Sequence, residues 1–176
     1  MNPGMALSTI LGALAIVASV TSLSTADIGP GSLEGAIREA DFIGVINILE
    51  LEPETPTTKI ARGAILEVWK GEPLDHVRID VKRLLGDDIS TAIPGETVVA
   101  ILTKIHDEDY YRFGPFGFGR LPVRTAENVR YVHIYLLSVA AELPTVSLDG
   151  TESTKPVYKV HDLKEYVRHV VQKTKS

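Results

Sequence analysis

The stretch KIARGAILEVWKGEP, residues 59–73, decides the fold of this chain. It predicts one long strand that ends abruptly at Lys70-Gly71 and is followed by a turn. Apolar residues share one face at a period of two as far as Ile65, but the next large apolar residue on that face is Val68. A slip of one residue inside a strand predicts a β-bulge near Leu66-Glu67. Strands that bend in this way are typical of small closed barrels.

The segments around this strand have the same β character. Residues 42–51, FIGVINILEL, are almost continuously apolar, and Gly44 within them indicates a bend or a close crossing of two backbones. Further strands are predicted at 76–84, 96–105, 110–113, 120–124 and 128–137. Ser32 is the predicted N-cap of a short helix over 33–40, and Asp162 is the predicted cap of a C-terminal helix over 163–173.

The order of these elements is helix, five to seven strands, helix. Their hairpin-like spacing predicts a mainly β fold of the α+β type, built on a small antiparallel barrel of the OB type with a helix at each end. We expect one domain over residues 27–176, because no repeat or low-complexity tract divides the chain.

Residues 1–26 precede this domain and carry no charged side chain. The apolar run ALSTILGALAIVASV has the length of a signal peptide, and Ser24-Thr25-Ala26 offers the small residues that favour cleavage before Asp27. Residues 5–23 are also just long enough to span a bilayer, so a retained anchor is the alternative, and a buried helix is a third. The preferred location is therefore secreted or periplasmic, with a membrane-anchored extracytoplasmic domain as the alternative.

Composition narrows the function classes. A net charge of -5 gives no bulk attraction to nucleic acid, which we do not expect as a partner. We expect a membrane as a partner only if residues 1–26 remain as an anchor. The chain has no cysteine, which excludes disulfides, thiolate metal sites and a cysteine nucleophile.

Three sequence runs resemble a group of secreted bacterial proteins of unknown function. They are ADFIGVI at 40–46, ARGAILEVWKG at 61–71 and GETVVAIL at 95–102, followed by a Tyr-rich and Gly-rich hairpin. The group is similar in outline to the netrin-like OB domains of metalloproteinase inhibitors. Those inhibitors act through an N-terminal cysteine that chelates zinc, so the resemblance implies an OB-like fold here and not that activity.

No motif for catalysis, a metal or a cofactor stands out, and we expect none of the three. The five histidines are scattered, whereas a zinc site needs three or four converging ligands. The run His106-Asp107-Glu108-Asp109 is short for a calcium loop and is interpreted as a solvated hairpin tip. No GxSxG elbow or Walker loop is present.

The strongest candidate for a contact surface is the Gly-rich hairpin between the predicted strands. Its residues combine aromatic rings with guanidinium groups, the usual anchors of interfaces, and they are Arg112, Phe113, Phe116, Phe118 and Arg120. The competing interpretation is that the phenylalanines fill the mouth of the barrel.

The sequence thus favours an exported, non-catalytic binding module that contacts a protein or an envelope polymer through this hairpin. A membrane-tethered accessory domain is the alternative, and a hydrolase without a recognisable motif is a third interpretation.

Overall fold

A computed structural model of the chain describes residues 31–53, 59–81, 92–114, 117–134, 137–146 and 156–174. Within them it contains two helices, α1 (Leu33–Glu39) and α2 (Val160–Thr174), and nine strands. The strands are β1 (Phe42–Leu51), β2 (Ile60–Lys70), β3 (His76–Asp80), β4 (Thr97–Lys104), β5 (Tyr111–Phe113), β6 (Arg120–Pro122), β7 (Arg124–Ala126), β8 (Val129–His133) and β9 (Val157–Lys159). The prediction of a mainly β fold with a helix at each end is confirmed.

Five of these strands close a barrel. They are hydrogen-bonded in the order β1, β2, β3, β5, β4, and β4 pairs again with β1, from Phe42 opposite Leu102 to Asn47 opposite Thr97. Every pair in the barrel is antiparallel except β3 with β5, which is parallel. The predicted OB-like barrel is confirmed, although one of its pairs departs from the expected antiparallel arrangement.

Two further groups of strands lie outside the closed ring. β6 pairs with β4 beside the barrel, and β7, β8 and β9 form a separate antiparallel sheet. The predicted strand over 120–124 therefore divides at Val123, because its two halves join different sheets. β9 is a strand that the sequence analysis did not predict.

The alternation of β1 divides the molecule into two cores. Phe42, Ile46 and Ile48 point into the barrel, whereas Ile43 and Val45 point outward and are equally buried. The outward side is covered by α1, α2 and strands β8 and β9, whose apolar residues complete the outer core. The nearly continuous apolar character of β1 follows, since both of its faces are buried.

Bulges bend the long strand β2, as predicted. Val45 pairs with Glu67 and Ile46 with Ile65, so Leu66 has no partner on β1. Gly44 lies at the close crossing that the sequence indicated, because a Cβ there would collide with the carbonyl oxygen of Glu67. The bends let β2 pair with β1 over its whole length and with β3 over its first half.

The helix boundaries are partly as predicted. Ser32 caps α1, with its Oγ accepting a hydrogen bond from the Gly35 amide at 2.9 Å. α2 begins at Val160, so Asp162 lies in the first turn and not at the cap. The difference arises because β9 continues into the helix without a loop. Asp162 nevertheless suits the positive end of the helix dipole.

The predicted signal or anchor over 1–26 lies outside the described residues. Within the part of the chain that the structure describes, neither helix is long and apolar enough to cross a bilayer.

Candidate functional site

The hairpin phenylalanines face the interior where they are described. Phe113 is 3% exposed and belongs to the core of the barrel. Phe118 is half-buried and packs against the outer core. Phe116 lies outside the described residues. Position 119 requires glycine, because a Cβ there would collide with the carbonyl oxygen of Ile101. The backbones of β4 and the hairpin are therefore in contact.

Arg120 is also turned away from solvent. Its guanidinium donates a hydrogen bond to the carboxylate of Glu96, and both side chains are 12% exposed. The Nε of Arg120 is buried without a hydrogen-bond partner. Such a buried ion pair holds β6 to the segment that leads into β4. Of the predicted contact residues that the structure describes, Arg112 alone is exposed.

Arg112 belongs to a larger surface on the outside of the barrel, which we call the arginine face. Strand alternation creates it, because Val77 and Ile79 point into the barrel and their neighbours on β3 must point out. The members of the arginine face come from three adjacent strands and are Arg62, Ala64, His76, Arg78, Asp80 and Arg112.

A charged row crosses the arginine face from strand to strand. Glu50 lies opposite Arg62, and Arg62 lies opposite Arg78. The Arg62 Nε donates to Glu50 Oε1 at 2.9 Å. Arg78 forms a two-pronged pair with Glu52, at 2.9 Å from Nε and 2.8 Å from its terminal nitrogen. Both guanidinium groups therefore have a carboxylate partner, and the two-pronged pair orients the guanidinium of Arg78 on the sheet.

The ion pair between Arg78 and Glu52 shifts the pKa values of both side chains. The hydrogen bond from Arg78 is the main reason why the pKa of Glu52 is below its ordinary value. The same bond raises the pKa of Arg78, with smaller contributions from Asp109 and Tyr110. The loop after β4, which carries Asp109 and Tyr110, therefore lies beside the arginine face.

Arg112 differs from the other two arginines. It is opposite Asp80 of β3 and Thr103 of β4. It makes no hydrogen bond or ion pair to another residue in the described ranges, and its side chain is exposed. Its donors therefore remain available for a carboxylate or carbonyl outside the chain.

Tyr110 places an aromatic ring at the margin of the arginine face. The pKa of its phenol is raised, first by desolvation and then by the carboxylates of Glu108 and Asp80. A phenol can both donate and accept a hydrogen bond, and the Tyr110 phenol already forms one with Glu108.

The arrangement suits recognition of a polar surface. Guanidinium groups on a rigid sheet supply directional donors, and Tyr110 supplies an amphipathic ring. Within the described residues no group of three His, Asp or Glu side chains converges as a metal site would require.

The sequence analysis missed Arg62, Arg78 and Tyr110 as members of a site. The alternation of residues 76–81 placed Arg78 on an outward face. It did not show that β2 and β5 bring Arg62 and Arg112 beside Arg78, because that proximity depends on pairing between distant segments.

Comparison with known proteins adds no relative to this picture. No protein-family model matches the chain, and a search of curated proteins finds no match. The resemblance to secreted bacterial proteins stays a prediction from the sequence.

Proposed function

We propose that this chain is an exported, non-catalytic binding module that holds a protein partner on the arginine face. The observation that carries the proposal is the contrast between two outward sides of one barrel. The side with Ile43 and Val45 is covered by the outer core, whereas Arg62, Arg78 and Arg112 are partly or fully open to solvent.

The chemistry of the arginine face favours a folded protein with mixed charge as the partner. Arginine and tyrosine are enriched at the centres of protein interfaces, where each supplies large area and directional hydrogen bonds. The carboxylates of Glu50, Glu52 and Asp80 lie beside the arginines, so a complementary surface also carries both signs of charge. A partner carboxylate opposite Arg112 would supply an ion pair to the guanidinium of the arginine face that has none among the described residues.

The export component of the proposal is supported by residues 1–26 alone. A membrane-tethered accessory domain is the alternative to a secreted module. It differs in retaining the apolar segment, and the arginine face would then bind a neighbouring membrane protein.

The proposal can be tested by capture from the producing cells. Wild-type protein on a solid support would be exposed to the detergent-solubilised envelope fraction, and the bound proteins would be identified and then purified. We expect one partner whose affinity falls roughly tenfold in Arg112→Gln, which is the loss typical of a residue at the centre of an interface.

Arg168→Gln on α2 is the matched control, since Arg168 is also an exposed arginine but lies on another element. Its affinity should equal that of the wild type. Equal affinity of all three proteins for the partner would refute the assignment to the arginine face. Arg112→Gln is a cleaner probe than a change at Phe118, because Phe118 also packs against the outer core.

A further inference from the structure

The sheet of β7, β8 and β9 carries a second polar surface, independent of the arginine face. Arg124 lies opposite Tyr131, and Tyr131 lies opposite Lys159, so the three form one row across three strands. We call it the cationic row. Adjacent strands are about 4.8 Å apart, which places the Cα atoms of Arg124 and Lys159 about 10 Å apart with the tyrosine between them.

The cationic row points to solvent. Val132 and Tyr158 alternate with its members along β8 and β9 and are buried in the outer core. Arg124 and Lys159 are exposed, and Tyr131 is half-buried. Neither cation makes a hydrogen bond or ion pair to any residue in the described segments.

The backbone and a neighbouring ring keep the cationic row in place. Glu127 and Asn128 connect β7 to β8 with φ of 49° and 64°, a two-residue turn that fixes the register of the hairpin. The Tyr131 ring also packs edge-on against His133, with centroids 5.7 Å apart and planes at 80°. A ring held by such a contact loses little conformational freedom when a ligand binds.

Local charge on this sheet is opposite to that of the whole chain. The residues of β7, β8, β9 and the turn include Arg124, Arg130 and Lys159 but a single carboxylate, Glu127 at the tip. The chain as a whole carries a net charge of -5. A basic patch on an acidic protein favours a partner with sparse negative charge over a dense polyanion, which the rest of the surface would repel.

We propose that the cationic row binds a carboxylated polysaccharide. The tyrosine ring offers an apolar platform for a sugar ring, and the cations on either side meet carboxylates on that sugar or its neighbours. Single-stranded nucleic acid uses related chemistry, but it carries a phosphate on every nucleotide, and the net charge of -5 disfavours so dense a polyanion.

The test is titration of the full chain at low salt with hyaluronate, a polysaccharide that carries one carboxylate per disaccharide, with neutral dextran and oligo-dT as comparison ligands. We expect hyaluronate to bind more tightly than either. The double variant Arg124→Gln with Lys159→Gln should bind at least roughly tenfold more weakly, since it removes both charge-assisted contacts. Tyr131→Leu should also lose several-fold, and Tyr131→Phe should be unchanged because the platform persists.

The control is Arg168→Gln with Lys173→Gln, which removes the same two charges from α2. It should stay within about twofold of the wild type, and thermal unfolding would verify that each variant is folded. The proposal is overturned if the wild type does not bind hyaluronate, if the two double variants lose affinity equally, or if oligo-dT binds more tightly.

Discussion

At the scale of single residues, one glycine permits the bent strand to cross its neighbour. A Cβ on Gly44 would collide with the backbone carbonyl of Glu67, so relief requires movement of the main chain. We predict that Gly44→Ala lowers the free energy of unfolding by roughly 1–3 kcal/mol, measured by urea denaturation. Gly31→Ala is the control, since a Cβ there meets nothing within 4 Å. Equal stability of the two variants would mean that β2 does not cross β1 this closely.

The ion pair of Glu96 and Arg120 gives a second prediction at this scale. Arg120→Met leaves a carboxylate unpaired at 12% exposure, and such losses cost about 3–5 kcal/mol. Combining it with Glu96→Gln should recover much of that loss, because no buried charge remains. Chemical denaturation of both variants and the wild type measures the difference. A single variant within about 0.5 kcal/mol of the wild type would show that Arg120 is solvated instead.

At the scale of elements, Glu67 connects β2 to α2. Its carboxylate accepts hydrogen bonds from Trp69 Nε1 at 2.8 Å and Lys164 Nζ at 2.9 Å. The Trp69 bond, then the Lys164 bond, lowers the pKa of Glu67 below its ordinary 4.5. A lowered pKa in the folded state stabilises the protein above about pH 4.5, and this contribution disappears as the pH falls through the folded-state pKa.

We therefore predict that Glu67→Gln reduces the dependence of stability on pH below about 5. The difference should be under about 1 kcal/mol, because the side chains are partly solvated. Unfolding midpoints of both proteins between pH 7 and pH 3 measure it. Parallel curves would contradict the assigned role of Glu67. Glu165→Gln is the control, since among the described residues Glu165 pairs with Arg168 on the exposed side of α2 and not with another element.

The sequence analysis predicted correctly those features that depend on residues close together in the chain. The bulge near Leu66 and the crossing at Gly44 both followed from local pattern and are confirmed. The first residue of α2 was not predicted correctly, because β9 has three residues and runs directly into the helix. The sequence analysis left undecided whether Phe113 points into the barrel, because its direction depends on the pairing of β5 with β4.

At the scale of the whole molecule, the pattern of apolar residues along a strand indicates whether the outward side of that strand is covered or open to solvent. β1 is apolar on both faces and lies under the outer core, whereas β3 alternates between apolar and charged residues and borders solvent. Which elements complete the cover was not predictable, because β8, β9 and α2 are distant from β1 in the chain. The arginine face could not be predicted from the sequence either, because it also depends on pairing between segments that are distant in the chain.

The location of the protein in the cell is a further question at this scale. We predict that the protein recovered from fractionated cells begins at Asp27 and is found in the soluble exported fraction. Intact-mass measurement decides this directly. A full-length product in the membrane fraction would instead favour the tethered accessory domain.

The most direct test of the account is site-specific photo-crosslinking on the arginine face in intact producing cells. A photoreactive residue in place of the exposed His76 samples this face, and one at position 168 samples α2. We predict a discrete crosslinked partner from position 76 that is absent from position 168 and is strongly reduced when Arg112→Gln removes the unpaired guanidinium. Equal crosslinking from the two positions, or none from position 76, would contradict a binding function for the arginine face.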